Sequence, residues 1–558
     1  MSYVIIKDLF NLLIEFDIKY VICSPGSRNA ALLQQIENLK EIKKIVIVDE
    51  RTAAFVGLGI SLVSRKPVAL ICTSGTALLN YAPAVAEAYY QHIPLIVVSA
   101  DRPAEWIDQD DSQTIRQYGI LSNITKASID ISANREENDY IWYANRIFNE
   151  ILLKATSQAK GPVHINIHLS GEILQPIKEH HITRKVERLL PPPRLDKEEI
   201  KHLSRQLMGK KIMVVAGFMP PDNKLQQAVR ILSKLPEVTI MAETVSNLHL
   251  PQSSYIIDPV LFNLSSKEEE LLKPDIVISI GGALISRKLK EFLRRNPPEA
   301  HWSFGYSDTL VDCFKSLTLK LECEPAPLLK AIGKQLRNQM GNTSETAQDY
   351  NCLWEKERKK YSDSINTFPW CDLKALSITL NSLPSDTNLF LSNGTSIRYG
   401  QIIKYPITHA TYSNRGVSGI EGCTSTALGA SICYDRFTCL IVGDMSFAYD
   451  IGAITSQIAG RNMRIIVLDN NGGDIFRFIP ATRNLAIRED YLSVPRKFPI
   501  SMIADAFGWS YFYASNEKEL RSELKEFFGD SLTPCILHID TSKAKNAEML
   551  RKYLNKRF

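Results

Sequence analysis

CLIVGDMSFAYDIGAITSQIAGRNMRIIVLDNNGGDIF, residues 439–476, is the stretch whose reading decides the fold. It holds two short apolar runs, Cys439–Val442 and Ile465–Leu468, each running into a polar, glycine-containing loop, with a helix-length segment between them. Continuous apolar runs with helices between them read as parallel strands buried on both faces. Outward along the chain the same kind of run recurs at Tyr20–Cys23, Ile45–Val48, Val68–Cys72, Leu95–Ser99 and Val163–Ile167. It returns at Ile212–Val215, Val238–Met241, Ile276–Ile280, Leu389–Leu391 and Cys535–Ile539. The expected fold class is therefore α/β, with doubly wound parallel sheets.

Two composition breaks divide the chain. Pro191-Pro192-Pro193 is flanked by charged residues, and residues 339–349 are polar and rich in turn formers. Read as linkers, they leave three α/β domains, at 1–185, 195–338 and 350–558. The first and third share a pattern of strands ending in polar, Gly-rich loops. Ligands of open parallel sheets bind at the carboxyl ends of strands, so those loops are where a site is expected.

Bulk properties narrow the class. The chain has 558 residues, 45% hydrophobic and 23% charged, an ordinary globular composition. A formal net charge of +5 on this length does not point to nucleic acid, but suits anionic small molecules if focused in a cleft. The ten cysteines include no C-x-x-C pair, which removes zinc and thioredoxin-like readings, and several sit in apolar runs as small hydrophobes. No apolar run approaches the roughly 18 residues of a membrane span, and MSYVIIKDLFNLL lacks the layout of a leader peptide. A cytoplasmic protein in a reducing compartment is expected.

Gly443-Asp444-Met445, running on into Ser446, and, after the 24 residues 446 to 469, Asn470-Asn471-Gly472-Gly473 make a chemically sound divalent-cation site. Asp444 offers a carboxylate, Asn471 an amide oxygen and Gly473 a carbonyl, with phosphate oxygens and water completing an octahedron. Ser446 and a helix from Phe447 would add N–H donors for phosphate. Either motif alone also reads as an ordinary turn. At the other end of the chain Glu50 follows the run Ile45–Val48 and precedes an apolar helix, Ala53–Val63. A charge at such a junction is often only a solvated helix start.

The metal motif resembles that of thiamine diphosphate enzymes, written Gly-Asp-Gly, some two dozen residues, then Asn-Asn; Met445 departs from it by replacing the last glycine. Longer stretches narrow the likeness: Cys23-Ser-Pro-Gly-Ser-Arg-Asn29, Thr73-Ser-Gly-Thr-Ala77, Ala100-Asp-Arg-Pro103, Gln113-Thr-Ile-Arg-Gln117, Tyr412-Ser-Asn-Arg-Gly-Val-Ser-Gly-Ile420 and Asn470-Asn-Gly-Gly-Asp-Ile-Phe476. Together they resemble the 2-succinyl-5-enolpyruvyl-6-hydroxy-3-cyclohexene-1-carboxylate synthases of menaquinone biosynthesis, across all three domains in order.

That resemblance implies a transferase using thiamine diphosphate with Mg2+ or Mn2+. It would decarboxylate 2-oxoglutarate and add the resulting carbanion to isochorismate in a conjugate (1,4) sense. Glu50 would bond N1′ of the aminopyrimidine, and Gln113 would lie near the reacting carbons. Ile420 would prop the cofactor in its bent form. Asn393, Gly394, Thr395 and Ser418 would join it around the cofactor, with Asp444, Met445, Ser446, Asn471, Gly473, Ile475 and Phe476. Arg398 and Arg415 would hold 2-oxoglutarate, while Ser27, Arg28, Arg102, Arg287 and Lys288 would surround isochorismate; guanidinium forks suit such dianions. Gly394 departs from the family's serine, so Thr395 or Ser396 would supply the hydroxyl. Related enzymes join their first and third domains across subunits, which implies a homodimer or homotetramer. His180-His181 reads as a solvated pair near the proline linker and receives no role. Two other readings stand beside this one: another thiamine diphosphate enzyme, such as a 2-oxoacid decarboxylase or acetolactate synthase, and a non-catalytic flavin- or nucleotide-binding protein suggested by Gly281-Gly282.

Overall fold

In the computed structural model, residues 4–170, 183–189, 195–340, 349–361, 364–406 and 408–555 are described. The proline linker, His180-His181 and most of the second linker lie outside these residues.

Three parallel sheets follow one another along the chain. The first contains β1 (Tyr20–Cys23), β2 (Lys43–Val46), β3 (Val68–Cys72), β4 (Leu95–Asp101), β5 (Ser128–Ser132) and β6 (Val163–His168) in the order β2-β1-β3-β4-β6-β5. The central sheet contains β7 (Ile212–Ala216), β8 (Val238–Ala242), β9 (Ile276–Ile280), β10 (Ala300–Phe304) and β11 (Leu317–Leu321), ordered β11-β10-β9-β7-β8. The third contains β12 (Asn388–Leu391), β13 (Ala410–Tyr412), β14 (Thr438–Gly443), β15 (Met463–Asp469), β16 (Ser510–Ala514) and β17 (Cys535–Asp540), ordered β13-β12-β14-β15-β17-β16. All of these strand pairs are parallel. The first and third sheets thus repeat one strand order. The order reverses between β1 and β3, and again between β12 and β14, so the loops leaving these four strands flank a topological switch point.

The doubly wound α/β class is what the apolar runs indicated. Strands β5, β10, β11, β13 and β16 were not among those runs. Four of them are sheet edges and β10 neighbours one; β5, β10, β11 and β16 are only partly buried and mix polar with apolar residues, while buried β13 is three residues long. Ser128-Ile-Asp-Ile-Ser132, for example, alternates. Strand β2 corrects a boundary and a character: it ends at Val46, not Val48, and it is an edge strand with Val46 63% and Val48 76% exposed. Glu50 therefore does not sit on a fully apolar strand. It is the first residue of the helix Glu50–Ser64, which Asp49 caps by accepting the Thr52 N–H at 3.2 Å.

That helix joins the first sheet to the third. It packs on the helix Cys423–Ile432 so closely that a Cβ on Gly59 would lie 1.9 Å from the Thr426 carbonyl oxygen, and one on Gly429 2.0 Å from that of Val56. One apolar cluster runs through the crossing from Val68, Leu70 and Leu95 beneath the first sheet, by Phe55, Leu58 and Leu428, to Leu389, Ile441 and Ile465 of the third. The two units share a core. The central unit docks on the third through Asn247, which donates to the Thr411 carbonyl at 3.0 Å and accepts its N–H at 2.7 Å, closing edge strand β13. Among the described residues no helix is long and apolar enough to cross a membrane, and all ten cysteines are free thiols.

The crossing has no room for a methyl group. Gly59→Ala should lower stability by about 3 kcal/mol, since overpacking against main chain cannot relax by a rotamer change. Thermal unfolding checks this; an unchanged Tm would show that the two helices separate freely.

Candidate active site

In the third unit, the loops leaving β12, β14 and β15 carry the expected cofactor residues to one end of the sheet. Asp444 begins the helix Asp444–Tyr449 directly. Its carboxylate accepts N–H groups from Met445 at 2.8 Å and Gly472 at 2.7 Å, which ties the two halves of the metal motif together. Burial pushes this carboxyl up to about 7, against the pull of those two N–H groups. A buried acid held this way gains a charge partner when a divalent cation replaces its proton. The Asn471 side chain makes no hydrogen bond among the described residues, and the Gly473 carbonyl accepts only the Phe476 N–H, at 3.1 Å. One carboxylate, one amide and one carbonyl, all oxygen donors, fit Mg2+ or Mn2+ completed by a diphosphate.

The site explains both departures from the family pattern. Position 445 lies inside a helix, where any side chain is tolerated, so a glycine is not required there. Gly394 adopts φ +99°, a backbone conformation that disfavours the serine usual at this place. Of the two candidate hydroxyls, Ser396 accepts from Ser392 at 3.4 Å inside the fold, while Thr395 stands at the start of the helix Ser396–Ile402.

One helix boundary is corrected, and four expected site residues have partners within the fold. The Ser446 hydroxyl donates to the Ile420 carbonyl at 2.8 Å, and Ser446 lies within its helix instead of preceding it, so it braces Ile420. The Asn393 side chain is committed to the next loop: it donates to Asn414 O at 2.7 Å and Gly419 O at 2.6 Å, and accepts from Arg415 Nη1 at 2.9 Å. Arg287 is 83% exposed and pairs with Glu291 at 2.8 Å, on the outer side of the helix Arg287–Arg295. Lys288 pairs with the same Glu291 and lies over the Phe262 ring at 4.7 Å.

Arg398 and Arg415 come together. Both are desolvated, which pulls each guanidinium below its ordinary value, and Arg415 adds repulsion at Arg398. The Arg398 side chain turns back to the Gly394 carbonyl. Counter-charges approach from the other units: Glu243 and Glu87 at Arg415, Asp258 at Arg398. Glu243 follows β8, accepts the Ile285 and Ser286 N–H groups at 2.7 Å each, and is pushed up to about 7 by burial. Two half-buried guanidiniums side by side can seat a dianion.

In the first unit Ser27, Arg28, Glu50, Arg102 and Gln113 all lie beyond the carboxyl ends of strands or in the following loop. Arg102 is held by Asp111 at 2.6 Å, and Arg28 reaches the Leu169 carbonyl at 3.4 Å. Gln113 is exposed, at φ +56°. Next to Glu50, Arg51 donates to the Tyr449 carbonyl at 2.9 Å and lies over its ring, a contact with the helix that Asp444 begins.

Residues to which the sequence reading gave no role hold these loops. Buried Gln117 accepts the Gly75 N–H at 2.6 Å and donates to Ala100 O at 3.1 Å and to Asn166 Oδ1 at 2.8 Å, linking the loops that carry Gln113 and Arg102. Asn166 donates to Asp101 and Asp130, both at 2.8 Å, and His168 bonds Asp130 at 3.1 Å and the Arg102 carbonyl. Asp372, pushed up to about 7 by burial, accepts from Asn470 at 2.8 Å and fixes the turn before Asn471. Arg477 donates to the Asn471 carbonyl at 3.1 Å and pairs with Glu489 at 2.8 Å. Polar residues inside or beside apolar strands, such as Asn166 and His168, were the available signal.

The central unit offers a contrast. At Gly281-Gly282, the loops at the β7/β9 switch point bond to each other, Gly282 N to Phe218 O at 2.7 Å and Phe218 N to Ala283 O at 3.2 Å.

Known proteins are similar to this chain in sequence. Residues 5–120 match the family described as thiamine pyrophosphate enzyme, N-terminal TPP binding domain, and residues 396–539 match its C-terminal TPP binding domain. The 2-succinyl-5-enolpyruvyl-6-hydroxy-3-cyclohexene-1-carboxylate synthase of Porphyromonas gingivalis is 39% identical over 98% of this chain and 96% of its own length. The proteins of that name from Cytophaga hutchinsonii and Christiangramia forsetii are 36% and 34% identical, each over 98% of both chains.

The His168 network gives a pH signature. Burial opposes charging of the imidazole, but Asp130 and the Arg102 carbonyl prevail and raise it from 6.5 to about 9. A raised histidine contributes stability that is full below pH 6.5 and lost as pH rises through about 9. Stability should fall across this window, and His168→Gln should flatten the fall. A variant with the wild-type slope would place the titration elsewhere.

Proposed function

Because the chain belongs to the 2-succinyl-5-enolpyruvyl-6-hydroxy-3-cyclohexene-1-carboxylate synthase family, we propose that it decarboxylates 2-oxoglutarate and joins the remaining carbon skeleton to isochorismate by conjugate addition, releasing CO2, in menaquinone biosynthesis. The observation that carries this reading is the pair of half-buried guanidiniums, Arg398 and Arg415, held by the neighbouring Gly394 carbonyl and Asn393 side chain beside the loops that would take the diphosphate. A simple pyruvate decarboxylase handles a monoanion and has no need of two desolvated cations there.

Thiamine diphosphate, when bound, supplies the electron sink for decarboxylation. Asp444, Asn471 and the Gly473 carbonyl would hold Mg2+ or Mn2+ against the diphosphate. Thr395 takes the place of the family's serine, and Ile475 and Phe476 wall the site beyond the Asn-Asn turn. Ser418 and Ile420 support the ring system, with Ile420 fixed by Ser446. Glu50 would hold a proton toward N1′ of the aminopyrimidine, so that the cofactor's 4′-nitrogen could serve as a base. Arg398 and Arg415 seat the carboxylates of 2-oxoglutarate. Ser27, Arg28, Arg102, Gln113 and Lys288 orient isochorismate, joined by Arg287 when it turns inward from Glu291.

Glu50 and its neighbours present exposed Val46 and Val48, and the diphosphate side presents exposed Val417 and Ile487. These faces support a homodimer or homotetramer in which Glu50 of one copy serves the Asp444 loop of another. The cytoplasm, where 2-oxoglutarate is available, is the location this activity requires.

Purified protein given thiamine diphosphate, Mg2+, 2-oxoglutarate and isochorismate should release CO2 and form the adduct. Turnover of pyruvate alone, with none of 2-oxoglutarate, would refute the reading. Glu50→Gln should bind cofactor normally and lose about 10²–10⁴-fold in kcat. Asp444→Ala should abolish metal-dependent binding of the diphosphate, followed by calorimetry; wild-type affinity would move the metal site elsewhere.

A further inference from the structure

Glu87 is a carboxylate of the first unit, on the helix Ala77–Gln91, yet it serves a loop of the third. It is 2% exposed. Its Oε1 accepts the N–H of Gly416 at 2.6 Å, and its Oε2 accepts those of Val417 at 2.7 Å and Ser418 at 3.4 Å. The Gln91 side chain also donates to Oε1. Three successive main-chain N–H groups converging on one carboxylate form an anion nest filled from another unit of the fold. The residue just before this nest is Arg415.

Arg415 stands where the three units meet. Asn393 of the third takes one of its Nη1 donors, and its buried Nε has no partner among the described residues. Glu87 from the first unit and Glu243 from the central unit supply negative charge nearby. Both spend their oxygens on main-chain N–H groups, Glu87 on residues 416–418 and Glu243 on residues 285–286. Neither takes the guanidinium's donors. An arginine kept charged in a desolvated place without a direct salt bridge retains its fork for an incoming carboxylate. The cofactor end of the same loop is anchored separately, Gly419 by Asn393 and Ile420 by Ser446.

We propose that Glu87 is a positioning residue for the reaction: reaching across from the first unit, it clamps residues 416–418 and so aims Arg415 at a carboxylate of the 2-oxoacid substrate. The inference rests on the functional reading above, in which Arg415 binds 2-oxoglutarate. Glu87 acts through Arg415 and touches neither substrate nor cofactor.

The test compares wild type, Glu87→Gln and Glu87→Asp as holoenzymes, with KM for each substrate and the Kd of thiamine diphosphate in Mg2+. Glu87→Gln replaces an accepting oxygen by an amide that faces N–H groups and removes the counter-charge. KM for 2-oxoglutarate should rise at least about tenfold, with KM for isochorismate within about twofold of wild type and the cofactor Kd, reached only through the long 3.4 Å contact to Ser418, within about threefold. Glu87→Asp, which keeps the charge but shortens the reach, should fall between them. Equal losses in all three constants, or no change in any, would overturn the proposal. If Glu87→Gln does not fold, Glu87→Asp decides by the same ratios. Wild type inert toward 2-oxoglutarate would instead overturn the functional reading, and this inference with it; an active wild type with unshifted variants overturns this inference alone.

Discussion

The close crossing of the helices Glu50–Ser64 and Cys423–Ile432 is the constraint on which the remaining geometry depends. Main chain meets main chain at Gly59 and Gly429, so the two helices have one depth and one register available to them. Everything that spans the first and third units is fixed by that contact. Arg51 meets Tyr449 at one end of it, and Phe55 lies where a side chain on residue 422 would stand. Glu87, one helix away, is thereby brought within hydrogen-bond reach of residues 416–418. Apolar area supplies the free energy of this contact, but apolar area is indifferent to register. The two glycines supply the register.

Around that fixed pair the chain distributes charge in a consistent way. Carboxylates that enter the buried centre are tied to main-chain N–H groups: Asp444 to residues 445 and 472, Glu243 to 285 and 286, Glu87 to 416–418. Guanidiniums in the same region keep donors in reserve. A direct salt bridge between these groups would satisfy both and leave an incoming anion nothing to bind. Splitting the two sets lets one ensemble of acids neutralise the field while the cations stay available. The cost is that several acids are desolvated without a cation bonded to them, which is why Asp444, Asp372 and Glu243 are all driven up to about 7.

Much of this was legible in the sequence, for definable reasons. Central strands announce themselves because burial on both faces demands apolar side chains at every position, as in Val68–Cys72. The diphosphate loops were legible because Asp444 and the Asn-Asn turn occur at strand ends, where a parallel sheet places its ligands. Partly buried edge strands such as Ser128–Ser132 escaped because they mix polar with apolar residues; this one carries Asp130, which turns out to hold His168 and Asn166. Residues that act across units escaped altogether. Nothing local marks Glu87 on an apolar helix as different from a solvated glutamate, since its partners lie 329 to 331 positions away. The same holds for Gly59, which in sequence is only a weak spot in a helix.

The shared core also sets a schedule for synthesis. The inner face of the helix Glu50–Ser64 is finished when residue 64 leaves the ribosome, but its partner helix begins at residue 423. At about 5–20 residues per second, Phe55 and Leu58 wait roughly 20–70 s for the surface that covers them. During that interval the nascent chain carries an apolar face with two glycines at its centre, open to the same helix on a neighbouring polysome product. Expression at low temperature or with abundant holdase chaperones should therefore raise soluble yield far more for this chain than for a protein whose units close their cores independently.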